Sequence, residues 1–123
     1  MKDENREQPI DLKVRTKQFA LRVIRLFGAL PPTSVAQVLG KQLLRAGTSV
    51  GAHYREAVRS RSDAEFISKL QGGLQELEET VYWPEILGDA EVVASQRLAD
   101  LSNEADELIA ILTTCVKNAK ARQ

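Results

Sequence analysis

The sequence predicts an all-α fold, an antiparallel up-down-up-down four-helix bundle, and three observations carry that prediction. Apolar residues recur at steps of three and four in four separate blocks. The breaks between the blocks are short and hold proline, glycine or capping residues. No stretch alternates apolar and polar residues as a half-buried strand does. With 123 residues the chain fits one domain. Residues 10–120 are therefore expected to form a single bundle, and the polar, charged residues 1–9 a disordered tail.

In the first block Phe19, Val23, Leu26 and Leu30 line one stripe, which Ile24 and Phe27 widen, while Lys13, Arg15, Lys17, Arg22 and Arg25 fall mostly outside it. Pro31-Pro32 ends this helix, because the residue before a proline is pushed out of the α region. Ser34-Val35-Ala36-Gln37 then has the form of a capping box, in which the serine and glutamine side chains take up orphan N–H groups. A second helix is expected to start there, with Leu39, Leu43, Ala46, Val50, His53 and Ala57 on its seam. Ser62-Asp63-Ala64-Glu65 repeats the capping-box form and opens a third helix almost where the second ends. Phe66, Leu70, Leu74, Leu77 and Val81 carry the seam of that helix. Pro84 removes one N–H and predicts a kink near Trp83. After Gly88-Asp89, Ser95 reads as an N-cap. Leu98, Leu101, Ala105, Leu108, Leu112, Cys115 and Ala119 then make the fourth helix the most regular of all.

Composition excludes several classes. The longest uncharged run, Leu26 to Gly40, contains two prolines and is shorter than the ~20 apolar residues that span a bilayer, so no membrane segment is expected. The opening MKDENREQPI lacks the apolar core of a secretory signal. The single cysteine, Cys115, cannot form an internal disulfide, and a cytoplasmic protein is the expectation. The net charge of zero hides a division: residues 1–62 hold 12 Lys+Arg against 5 Asp+Glu, or +7, and residues 63–123 hold 5 against 12, or −7. Such asymmetry calls for a partner within the fold, across a subunit interface, or on an external polyanion.

The chemistry-bearing residues concentrate in GTSVGAHYREAVRSRSDAEF, residues 47–66. Gly47 and Gly51 lie one turn apart, and each costs about 1 kcal/mol relative to alanine inside a helix. They predict a smooth face for close helix packing, with Gly72-Gly73 as the matching flat spot on helix three; a ligand cleft is the alternative. The hydroxyls of Thr48 and Ser49 can bond back to carbonyls one turn earlier. His53 and Glu56 stand one turn apart, which places imidazole and carboxylate side by side. That pair is either acid–base machinery or a satisfied interface histidine beside a surface carboxylate. A di-iron bundle site needs two Glu-x-x-His units, and the chain has one histidine. The helical ribonucleases of the HEPN type place a histidine closely after an arginine, whereas seven residues separate Arg45 from His53. No nucleophile with a base, no phosphate loop and no CxxC is present. No catalytic residue, metal or cofactor is expected, and the chain does not read as an enzyme.

Arg55, Arg59 and Arg61 end helix two, where cations favour the negative end of the helix dipole. A basic turn can equally grip phosphate, here without interleaved aromatics. Glu76, Glu78 and Glu79 form a solvated or ion-paired face directed at Arg45 or Arg55. The candidate binding surface is thus Arg45, His53, Arg55, Glu56, Arg59 and Arg61.

The segment QLLRAGTSVGAHYREAVRSRSDAEFISKLQGGLQELEETVYWPEIL, residues 42–87, resembles the bacterial four-helix bundle family of 23S rRNA intervening-sequence proteins, the S23 type. The matching elements are Gln42, Leu43 and Arg45, Ser49-Val50-Gly51, Tyr54-Arg55-Glu56-Ala57, Arg61-Ser62, Glu65-Phe66, Glu79 and Tyr82-Trp83, with Leu30-Pro31 ending helix one. The chain departs from the family pattern at His53, where asparagine is usual, at Gly72-Gly73, and at Pro84, where an apolar residue is usual. The resemblance implies a small cytoplasmic protein without established catalysis that forms ring-shaped homopentamers. Related accessory proteins of diversity-generating retroelements are basic pentamers that bind nucleic acid and a reverse transcriptase; the zero net charge here departs from them.

The expectation is therefore a noncatalytic homo-oligomeric interaction protein, with RNA or DNA as the candidate ligand of its basic helices. A small-molecule or catalytic site centred on His53 and Glu56 is the alternative. For assembly, a two-fold dimer would set each strongly charged face against itself. A head-to-tail ring instead lays the basic face of helices one and two against the acidic face of helices three and four. The resemblance sets the size of that ring at five.

Overall fold

The computed structural model describes residues 11–123; the tail expected at residues 1–9 lies outside the described residues. Four helices follow one another: α1 (Leu12–Gly28), α2 (Ser34–Val58), α3 (Asp63–Asp89) and α4 (Ala99–Arg122), with a 3-10 turn at Ser95–Arg97 before α4. No strand occurs among the described residues.

Three of the helices open on a side-chain cap. Asp11 accepts a hydrogen bond from the N–H of Val14, Thr33 from Ala36, and Ser62 from Glu65. The α2 cap lies one residue before the serine the sequence pointed to. Thr33 has the extended backbone of an N-cap and offers its own hydroxyl, while Gln37 Nε2 turns back to the Pro31 carbonyl at 3.2 Å. At α3 the serine half of the box forms as expected. Glu65 Oε1, however, accepts from the N–H of Arg61, one residue ahead of the cap. Ser95 opens the 3-10 turn instead of α4, which starts behind Leu98 without a side-chain cap.

The helix α3 runs unbroken through Pro84, which is buried. It ends in a Schellman motif: the N–H of Val92 reaches the Leu87 carbonyl at 2.9 Å and that of Glu91 reaches the Gly88 carbonyl at 3.0 Å. Such a motif requires a left-handed residue, and Glu91 supplies it at φ 61° where glycine is usual.

Neighbouring helices run antiparallel. From α1 to α2 the contacts are Leu30 at Gly40, Val23 at Gly47 and Thr16 at Gly51. From α2 to α3 they are Arg45 with Glu76, His53 at Gly72 and Glu56 with Lys69. From α3 to α4 they are Gly88 at Leu98, Gly73 at Leu112 and Asp63 with Arg122. In each series one number rises as the other falls. Of the four adjacent pairs, α1 and α4 approach least closely.

Phe19, Val23, Leu43, Val50, Leu70, Leu77, Leu87, Leu108 and Leu112 fill the centre. The inner row of α3 differs from the expected seam: Ile67, Leu70, Gly73, Leu77, Thr80, Pro84 and Leu87 are buried, and Phe66, Leu74 and Val81 sit at its flank. A helix packed between two neighbours puts small residues where both come near. A Cβ at Gly73 would lie 3.5 Å from His53 Cβ on α2 and 3.8 Å from Leu112 Cδ1 on α4. On α4, Val116 takes the buried position and Cys115 is half-buried.

The two glycine pairs do not face each other. A Cβ at Gly47 would stand 2.6 Å from Val23 Cγ2, and one at Gly51 would stand 3.1 Å from Thr16 Oγ1, so this face admits α1. Gly72 instead gives room to the His53 ring, whose Nδ1 and Cε1 would lie 2.8 Å from a Cβ there.

Candidate nucleic-acid interface

The six residues singled out in the sequence are distributed over three places. Arg45, His53 and Glu56 belong to the α2/α3 seam. Arg45 reaches Glu76 at 3.2 Å and Glu79 at 2.5 Å, and Glu79 also accepts from Trp83 Nε1 at 3.4 Å. His53 Nε2 stands 3.8 Å from Glu76 Oε2, and its Nδ1, buried against Gly72, has no hydrogen-bond partner among the described residues. Glu56 is 3.4 Å from Lys69. The side-by-side pairing expected for His53 and Glu56 is therefore not made. Each turns to a different residue of α3, His53 to Glu76 and Glu56 to Lys69.

Arg55 and Arg59 line a different surface. Between the outer sides of α1 and α2 runs a groove bordered by Thr16, Lys17, Ala20, Thr48, Gly51, Ala52 and Arg55, and past Arg55 it continues to Lys13, Val58 and Arg59. The groove is open here because Ala20, Gly51 and Ala52 carry little or no side chain to fill it. The Thr16 hydroxyl donates to the Leu12 carbonyl at 2.6 Å and the Thr48 hydroxyl to the Leu44 carbonyl at 2.8 Å. Lys13, Lys17, Arg55 and Arg59 form no ion pair among the described residues. Arg61 lies at the end of the bundle, in a cleft with Ser60, Ser62, Asp63, Phe66 and Arg122.

Two further arginines, Arg15 and Arg122, are paired inside the chain. Arg15 crosses from α1 to α4, meeting Glu104 at 2.7 Å and Glu107 at 2.6 Å. The guanidinium holds the Glu104 carboxyl below the usual carboxylate range, and the two carboxylates raise Arg15 in turn. Arg122 reaches Asp63 at 3.3 Å. Burial raises the Cys115 thiol and the Tyr54 hydroxyl above their ordinary values, so neither favours its anionic form.

Lys13 and Lys17 escaped the sequence reading as site residues because about forty residues separate them from Arg55 and Arg59. A signal was present: both lie outside the apolar stripe of α1, and α1 is what the glycine face of α2 receives.

Among the described residues no helix is long and apolar enough to cross a membrane, and no cluster of His, Cys, Asp and Glu is grouped to hold a metal. Fold and groove together define a small all-α protein of four helices with an open, basic surface channel. The chain belongs to the 23S rRNA-intervening sequence protein family, whose model matches residues 10–114. It is similar to a crystal structure of a protein with unknown function from the S23 ribosomal protein family of Bacteroides thetaiotaomicron. The two chains are 36% identical and superpose with a TM-score of 0.82 over 87% of this chain and 99% of that one. Among curated proteins none matches.

Proposed function

We propose that the protein is a cytoplasmic, noncatalytic interaction module that assembles head to tail into a homopentameric ring, and that its α1/α2 groove contacts the phosphate backbone of RNA or DNA. The observation that carries the nucleic-acid reading is the grouping of Lys13, Lys17, Arg55 and Arg59 along one groove while Arg15 and Arg45 are engaged by carboxylates of the same chain. The groove has no aromatic lining for base stacking, and its threonine hydroxyls are already bonded. Recognition by charge alone follows, and it is tolerant of sequence.

The ring is supported by the opposite charge of the two halves and by the resemblance to ring-forming relatives. Against the alternative of a site at His53 and Glu56 stands their separation into two contacts with α3.

Titration of labelled single-stranded RNA, followed by anisotropy across a salt series, tests the groove. With about four phosphates neutralised per groove, the slope of log affinity on log salt should be near −3 for single strands. Arg55→Gln with Arg59→Gln should weaken binding and cut that slope by roughly half. Affinity that is indifferent to salt, or a double variant that binds like its parent, would refute the groove.

A further inference from the structure

Six of the seven exposed large hydrophobic residues among the described residues fall into two groups, and the seventh, Val58, stands beside Arg55 and Arg59 at the end of the α1/α2 groove. Val14, Leu21 and Ile24 stand 48%, 39% and 45% exposed on α1, and helical spacing puts them on one outward face with Arg25 at its border. Val35 and Val38, 56% and 62% exposed, occupy the first turns of α2, and Tyr82, 51% exposed, lies in the last third of α3. The antiparallel register that joins Arg45 to Glu79 brings the first turns of α2 beside the last turns of α3. Tyr82 is held edge-on to Trp83, ring centres 5.0 Å apart at 69°. It also belongs to a row, Glu78, Tyr82, Glu85 and Asp89, whose steps of four, three and four keep it on one exposed side of α3. Its three carboxylates form no ion pair among the described residues.

The chain thus carries two apolar faces with rims of opposite sign: a basic rim on α1 and an acidic rim on α3. We propose that these two faces bind each other between copies, the α1 face of one subunit seating on the α2/α3 face of the next. The occupant is a second copy, because the partner each face lacks is present on the other side of the same molecule. An apolar centre suits an apolar centre, and Arg25 meets the acidic rim of Glu78, Glu85 and Asp89. Pairing either face with itself would set like charges against each other around a buried centre, which costs affinity and suppresses that arrangement. Two different surfaces in contact make a heterologous junction, which propagates around a ring and does not stop at a dimer. This assignment rests on the head-to-tail reading and specifies which surfaces meet.

Two double variants test it, each at exposed positions where folding is expected to survive and is checked by circular dichroism. Leu21→Glu with Ile24→Glu breaks the α1 face; Val38→Lys with Tyr82→Lys breaks the α2/α3 face. Light scattering coupled to size exclusion should show a parent assembly near five times 13.6 kDa and each variant alone as a monomer. An equimolar mixture of the two variants should form a dimer and nothing larger, since one intact junction remains. A variant that keeps the parent mass, a variant that dimerises by itself, or a mixture that stays monomeric overturns the assignment of faces. A parent that is itself monomeric would instead overturn the ring.

Discussion

Replacing Gly47 by alanine should destabilise the bundle, although in a solvent-exposed helix the same change would stabilise it. Alanine gains about 1 kcal/mol of helix propensity over glycine. Here its methyl would stand 2.6 Å, 2.9 Å and 3.0 Å from Cγ2, Cγ1 and Cβ of Val23. Val23 is fully buried and β-branched, so it has no rotamer to escape into and α1 must move instead. At 2.6 Å from a neighbour that cannot turn aside, the overpacking cost lies in the upper part of the usual range, about 2–3 kcal/mol, and the net loss after the propensity gain is about 1–2 kcal/mol. Chemical denaturation followed by far-ultraviolet circular dichroism, at one fixed protein concentration because assembly adds its own stabilisation, gives the value. Gly28, where an added methyl would meet nothing within 4 Å, is the control, and Gly28→Ala should be neutral or stabilising. Val23→Ala removes the two nearest methyls and leaves only the Cβ contact at 3.0 Å, so the Gly47→Ala penalty should shrink in that background, a coupling of about 1 kcal/mol. Stability unchanged or raised by Gly47→Ala, or the same penalty with and without Val23, would refute the close approach of α1 and α2.

Two further outcomes are expected. Glu91→Gly should stabilise by about 1 kcal/mol, since a left-handed non-glycine residue costs roughly that much, and an unchanged denaturation midpoint would show that residue 91 is not held there. Glu104 has a depressed folded-state pKa, so its stabilisation by Arg15 is present above the unfolded carboxylate value near ~4.3 and is lost as pH falls through the folded value. The stability gap between the parent and Arg15→Met should therefore be open about two pH units above that unfolded value and close at more acid pH; a gap that does not change over that range contradicts the pair.

What could be read in the sequence was whatever depends on neighbours along the chain. The Ser62 cap, the tight α2/α3 connection and the buried row Leu98, Leu101, Ala105, Leu108 and Leu112 each follow from spacing of three or four residues. The α2 cap was read one residue late: Thr33, not Ser34, has the extended backbone and takes the N–H of Ala36. The inner row of α3 was misassigned because Gly73 and Thr80 do not look like core. Their burial reflects how near α2 and α4 come, a distance no periodicity encodes. The same limit applies to the site. Arg45 toward Glu76 and Glu79 was foreseeable from sign alone, but the capture of Arg15 by α4 was not, and it is this capture that leaves Lys13 and Lys17 to accompany Arg55 and Arg59.

The histidine at 53 and the glycine at 72 meet in space and depend on each other. The imidazole lies flush on the backbone of α3, in the volume that any side chain at position 72 would need. With histidine at 53, a side chain at 72 has room only if the ring swings out of its seat; with a smaller residue at 53, the same glycine would leave a gap. What position 72 tolerates is thus set from the neighbouring helix, by the residue at 53.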